Sequence, residues 1–128
     1  MCLFVHYRKT LKLRKSGKQF ITGYKIVDKR NDNCLYSMFF SHKWAIGFNN
    51  AYVKIENHYN EKYNKLCIDN GIHVFLYKPN RHDFMEPYEK IIPVRCYLND
   101  LIAVGRHGDA VFRRVYLSKQ SYDKAIKC

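Results

Sequence analysis

No stretch of this chain approaches the roughly 18 consecutive apolar residues that a membrane-spanning helix requires. The N-terminus turns basic directly after Met1-Cys2-Leu3-Phe4-Val5, too soon for the apolar centre of a secretory signal. A protein without a membrane partner, retained where it is made, is therefore expected. Cysteine never occurs as a close pair. Cys2, Cys34, Cys67, Cys96 and Cys128 are spread almost evenly and are odd in number, which argues against a secreted disulfide scaffold and for a reducing compartment. The histidines His6, His42, His58, His73, His82 and His107 show no H-x-x-x-H spacing and no ligand spacing from a cysteine pair, so neither a metal nor a cofactor is expected. A P-loop and a G-x-G-x-x-G turn are missing as well. The prolines Pro79, Pro87 and Pro93 all fall in the second half, and no Ser/Gly/Pro linker, low-complexity tract or repeat divides the sequence. Residues 1–128 read as a single domain.

Acidic residues are also scarce: 11 Asp and Glu face 23 Lys and Arg, giving a formal net charge of +12. The imbalance is local. Between Met1 and Arg30 the cations Arg8, Lys9, Lys12, Arg14, Lys15, Lys18, Lys25, Lys29 and Arg30 meet only Asp28, so this quarter of the chain supplies +8 of the +12. Such a balance seeks polyanions without naming one. What the sequence has in quantity is apolar and aromatic surface, 47% and 16% of residues, enough for a folded core at this length.

Leu3-Phe4-Val5-His6-Tyr7 has strand composition, and the alternation Lys9-Thr10-Leu11-Lys12-Leu13-Arg14 predicts a second extended segment with Leu11 and Leu13 on one face. Ser16-Gly17-Lys18 marks a turn. Phe20 to Val27 and Cys34 to Phe40 read as a β-hairpin around the polar loop Asp28 to Asn33. The three-to-four spacing of Tyr52, Ile55, Tyr59, Tyr63 and Leu66 predicts a helix over Ala51 to Asp69, stopped by Asn70-Gly71. Ile72 to Tyr77 is nearly continuously apolar and predicts a central strand. Arg81 to Tyr88 suits a short helix. Ile91 to Leu98 predicts a strand whose Pro93 sits at an edge, an end or a bulge. Leu101 to Val104, the turn Gly105 to Asp109 and Ala110 to Leu117 predict a closing hairpin. The expected class is α+β, mainly antiparallel sheet with one longer and one shorter helix.

The segment Gly71-Ile72-His73-Val74-Phe75 resembles the "GIHFF"-type motif of an uncharacterised domain family of large DNA viruses. Matching pieces are Tyr36-Ser37, Asn70 to Tyr77, Ile92 to Leu98 and Ala110 to Leu117, so the likeness runs from about Gly23 to Leu117 by pattern. The small-residue helix of that family is replaced here by Asn80-Arg81-His82-Asp83-Phe84-Met85. The resemblance implies a viral α+β protein in the host cytoplasm or virus factory. It brings no catalytic residues with it.

Two functions fit the residues. The first is a non-enzymatic binding module for non-specific nucleic acid or another polyanion, or for a host protein. Its candidate contacts are Arg8, Lys9, Lys12, Arg14, Lys15, Lys18, Arg113 and Arg114, because lysine and arginine neutralise phosphates and release counterions. Tyr7, Tyr24 and Tyr36 are candidate stacking platforms. The second is a small enzyme on a nucleotide-like anionic substrate, loosely similar to ADP-ribosyltransferases, with Tyr24, Ser37 and His73 as its candidate site and Lys25, Tyr36 and Glu89 as further positions those roles would draw on. His73 on an alternating strand reads first as a half-buried structural histidine. Asp100, Asp109, Glu86 and Glu89 read as turn and surface residues.

Overall fold

Two long strands, the second with buried Ile92, Val94 and Cys96 alternating with exposed Pro93 and Arg95, form the centre of the architecture. The computed structural model describes residues 3–37, 42–51, 57–60, 65–68, 71–80 and 88–127. In it β2 (Phe20–Lys29) pairs antiparallel with β8 (Glu89–Tyr97) from Phe20↔Tyr97 to Asp28↔Glu89. One face of this ribbon carries Val27, Ile92, Val94 and Cys96, all buried, and the other carries Phe20, Thr22 and Arg95, all exposed. Gly23 lies on the buried face. A Cβ there would come within 2.9 Å of Cys96 Sγ and 3.0 Å of Val74 Cγ2, so the missing side chain is what lets three strands close together.

The other edge of β2 is shared between β7 (Ile72–Phe75) and β3 (Leu35–Ser37), and β10 (Asp109–Phe112) and β9 (Leu101–Val104) follow beyond β7. Beyond β8 lie β11 (Arg114–Leu117) and β4 (Gly47–Asn50), giving the order β4-β11-β8-β2-β7-β10-β9 with β3 also on β2. The class is α+β, dominated by antiparallel strands, and β7 is central as its apolarity implies. Trp44, Phe112, Leu35, Ile92 and Leu117 fill the main core, where the Trp44 indole donates to Ser37 Oγ at 2.9 Å.

A second sheet, in the order β1 (Leu3–Phe4), β6 (Lys65–Ile68), β5 (Asn57–Asn60), packs Leu3, Val5 and Ile68 against Ala103 and Val111. Val111 pairs with His73, and neither shares the face of Val74 and Ala110, so this sheet covers the outer face of the large one at its β9–β10 end. At the opposite end the outer face stays in solvent, with Phe20 and Phe48 each 44% exposed.

Three expectations are corrected. Residues 9–14 are not a strand: Tyr7–Arg14 is helix α1, started by the His6 ring accepting from the Lys9 amide at 3.2 Å. Its buried anchor is a polar residue, Thr10. The hydroxyl donates to the His6 carbonyl at 2.8 Å and accepts from the Val104 amide at 2.9 Å, closing the free edge of β9, while Leu11 points to solvent. The helix expected over Ala51 to Asp69 is replaced, where the chain is described, by the β5–β6 hairpin. Ala110 to Leu117 is not one strand, because the chain steps at Arg113 from a partnership with β7 and β9 to one with β4 and β8.

Pro93 sits mid-strand opposite Tyr24, yet β8 is registered with β11 only at Arg95, so the missing amide falls beyond that ladder. Helix α2 (Lys119–Lys127) runs alongside here. Ser118 caps it by accepting from the Ser121 amide at 3.1 Å, Tyr122, Ala125 and Ile126 pack on the core, and the Lys29 ammonium donates to the carbonyl of Ile126. The short helix expected over Arg81 to Tyr88 and the end of the strand expected at residues 38–40 lie outside the described residues.

Candidate nucleic-acid interface

Helix α1 presents Arg8, Lys9 and Lys12 to solvent, with Lys15 at its C-cap and Lys18 in the following turn, all exposed. No acidic residue occurs between Tyr7 and Arg14 to offset them. Two of the other cations are engaged by the fold. The Arg14 guanidinium donates to the carbonyls of Leu101 at 3.2 Å and Ile102 at 2.9 Å, and so secures the β9 edge. Arg114 pairs with Asp100 at 2.9 Å and lies 4.4 Å from the centre of the Phe48 ring. Arg113 is exposed, and its amide holds the carbonyl of Asp100, next to the carbonyl that Arg14 takes.

The segment 15–19 leads from α1 directly into Phe20, at the edge of a surface the sequence does not announce. The register sets Thr22, Arg95, Tyr116 and Phe48 in one row across β2, β8, β11 and β4, with Phe20 opposite Tyr97 on the same outer face. Phe48 meets Tyr116 edge-on at 5.2 Å and Tyr97 at 5.9 Å, and Phe20 meets Tyr97 at 5.8 Å. The Arg95 guanidinium lies over Phe20 at 4.8 Å and near Tyr116 at 5.6 Å. Four rings and the Arg95 guanidinium on this sheet face combine stacking surface with positive charge, the combination suited to unpaired bases and their phosphates. These residues come from four strands distant in sequence. Only their common parity within each strand hints that they share a face.

Of the candidate stacking tyrosines, Tyr7 is exposed on α1, whereas Tyr36 is engaged at the β2–β3 hairpin. Its hydroxyl donates to Asp32 at 2.5 Å, which holds that carboxyl below its usual range, and Arg30 covers its ring at 4.1 Å. The candidate enzymatic trio does not converge. Ser37 is buried and faces inward opposite Val27, while Tyr24 and His73 lie on the outer face. Glu89, expected at the surface, is 3% exposed at the start of β8, opposite Asp28. Lys25 is turned inward between Gly23 and Val27. Its ammonium donates to the His73 carbonyl at 2.7 Å, where β7 parts from β2, and burial pushes its pKa down to about 8.

Among the described cysteines, Cys67 and Cys96 are buried, and burial lifts the Cys96 thiol to about 12, while Cys34 is half-buried in the β2–β3 loop. Cys34 and Cys96 are free thiols. Brief iodoacetamide treatment of the native protein, read by peptide mass spectrometry, should therefore alkylate Cys34 well before Cys67 or Cys96, and denaturant should equalise the three. Labelling of native Cys96 at the rate of Cys34 would contradict the packing around Gly23.

No helix among the described residues is long and apolar enough to cross a membrane. Compared with models of protein families, with curated proteins and with solved structures, the chain finds no match in any of the three.

Proposed function

We propose that the protein is a non-enzymatic nucleic-acid-binding module that holds single strands on the open sheet face, with the basic helix α1 supplying sequence-independent attraction. The observation that carries this reading is the row Phe48, Tyr116, Arg95 and Thr22 beside Phe20 and Tyr97, an aromatic surface with the Arg95 guanidinium among its rings. Duplex offers such a surface no base faces, whereas a single strand can lay its bases on it. The exposed Lys12, Lys15 and Lys18 belong to α1 and the segment that leads into Phe20 and would contact phosphates without reading sequence. The viral family that the motif resembles is compatible with such a role and lends it no residue.

Fluorescence anisotropy with labelled oligonucleotides at several salt concentrations tests the proposal. A single strand should bind with micromolar-order affinity at low salt, about the non-specific range or somewhat tighter, and more tightly than a duplex of equal length. Phe48→Ala with Tyr116→Ala should weaken single-strand binding by about tenfold or more while leaving the salt slope unchanged, since each stacked base contributes about 1–3 kcal/mol. Replacing Lys12, Lys15 and Lys18 by alanine should instead flatten that slope by about two units. Arg14 is kept in these variants because it secures β9. Absence of binding at low salt, or indifference to both sets of substitutions, would refute the proposal.

A further inference from the structure

A cleft of about 650 Å³ opens where α2 passes β2 and β8 near Tyr24 and Pro93, and it has a chemistry distinct from the aromatic row. Its apolar wall includes Tyr24, Ile91 and Pro93, and three lysines line it from three separate elements: Lys78 from the segment after β7, Lys90 from β8 and Lys124 from α2. No aspartate or glutamate is among its described lining residues. The cleft also shares Pro93 and Ser121 with a shallower depression lined by Thr22, Arg95 and Tyr116, so it continues the open sheet face toward α2.

We propose that this cleft binds one nucleoside 5′-phosphate, its base against Tyr24 and its phosphate among Lys78, Lys90 and Lys124. The volume lies in the range of about 300–1,000 Å³ typical of small-molecule sites. Three lysines, with no carboxylate among the described lining residues, favour a compact multiply charged anion over a neutral ligand, and lysine binds phosphate as a point charge from variable directions. The tyrosine and proline wall favours a planar or apolar body attached to that anion. A free phosphate would leave the wall unused, and a nucleoside would leave the lysines uncompensated. The chemistry is the same for a free nucleotide and for the 5′-phosphorylated end of a strand. The inference goes beyond the binding-module reading and does not depend on it.

Calorimetric titration with AMP, adenosine and inorganic phosphate tests the cleft directly. A competition between 5′-phosphorylated and 5′-hydroxyl oligoadenylate separates the two sources. AMP should bind at least about tenfold more tightly than either adenosine or phosphate, because both halves of the site contribute. The double variant Lys78→Ala, Lys124→Ala removes two exposed side chains, and Tyr24→Leu removes the ring from the wall. Each should weaken AMP by about tenfold with an unchanged melting temperature. A preference for the 5′-phosphorylated strand that disappears in the double variant, without measurable AMP binding, would support the site with a strand end as its occupant. Neither binding nor preference, or AMP binding indifferent to these substitutions, would overturn it. Oligonucleotide binding that survives such a failure leaves the module standing, and AMP binding without oligonucleotide binding leaves only the cleft.

Discussion

Replacing Val74 with aspartate is expected to abolish the folded state. Val74 is 2% exposed on the central strand β7, registered against Ala110 of β10 and in contact distance of the position where Gly23 lacks a side chain. A carboxylate there has apolar neighbours and no described cation facing it except the Lys25 ammonium, which already serves the His73 carbonyl. Burying an unpaired charge belongs to the small class of substitutions that cost more than about 4 kcal/mol, against a total stability of about 5–15 kcal/mol. Far-ultraviolet circular dichroism and the soluble yield read the outcome. The conservative Val74→Ala should remain folded, with a stability lowered by about 1–3 kcal/mol. A cooperative melt of Val74→Asp close to that of the wild type would mean that β7 does not occupy the centre of the sheet.

The second large effect concerns Lys25 and pH. Its pKa is about 8 in the folded protein against an ordinary 10.5, so folding disfavours the protonated amine. Below pH 8 the amine is charged in both states and the penalty is present in full. Between pH 8 and 10.5 the unfolded chain binds more protons than the folded one, so stability rises with pH across that window. The size of the rise follows from the shift and is roughly 3 kcal/mol. Lys25→Met should abolish this rise while losing one hydrogen bond to the His73 carbonyl, a cost of about 1 kcal/mol. Urea denaturation of both proteins at several values of pH from 7 to 10 measures the difference, in which titrations common to the two cancel. Parallel curves would show that the ammonium is solvated in the folded protein.

Strands whose faces differ in polarity are legible in the sequence, and the places where legibility fails share one physical cause. β8 alternates in step with its burial from Ile92 to Cys96, while β7 and the β9–β10 hairpin are found by short apolar runs bounded by turn residues. Helix α1 escapes because the residue that docks it is Thr10, which a hydrophobic pattern does not count, while Leu11 and Leu13 imitate a strand. Over Ala51 to Asp69 the wide spacing of large residues also fits a helix, and the hairpin wins through partners the local sequence does not contain: β6 pairs with β1 as well as with β5. The start of α2 does carry a local signal, the Ser118 and Ser121 cap, to which a search for apolar runs is blind.

The two halves of the proposed interface differ in the same way. The basic segment is contiguous, and its exposure follows from composition. The aromatic row is assembled only by register, for nothing in Phe48 or Tyr116 indicates that β4 and β11 will lie side by side. A charge map drawn along the sequence also assigns Arg14 and Arg114 to the ligand, although one secures a strand edge and the other an acidic partner.

The pairing of β2 with β8 also bears on how the protein is made. Their partners lie roughly seventy positions apart in the chain, and α1 docks on β9, still more distant in sequence. During synthesis the central ribbon can begin to form only when most of the polypeptide has left the ribosome, and helix α1 acquires its anchor later still. Until then β2 has only β3 and β7 to pair with on one edge, and its long edge toward β8 stays open. Like charge on the lysines and arginines around it opposes edge-to-edge association between nascent chains during that interval.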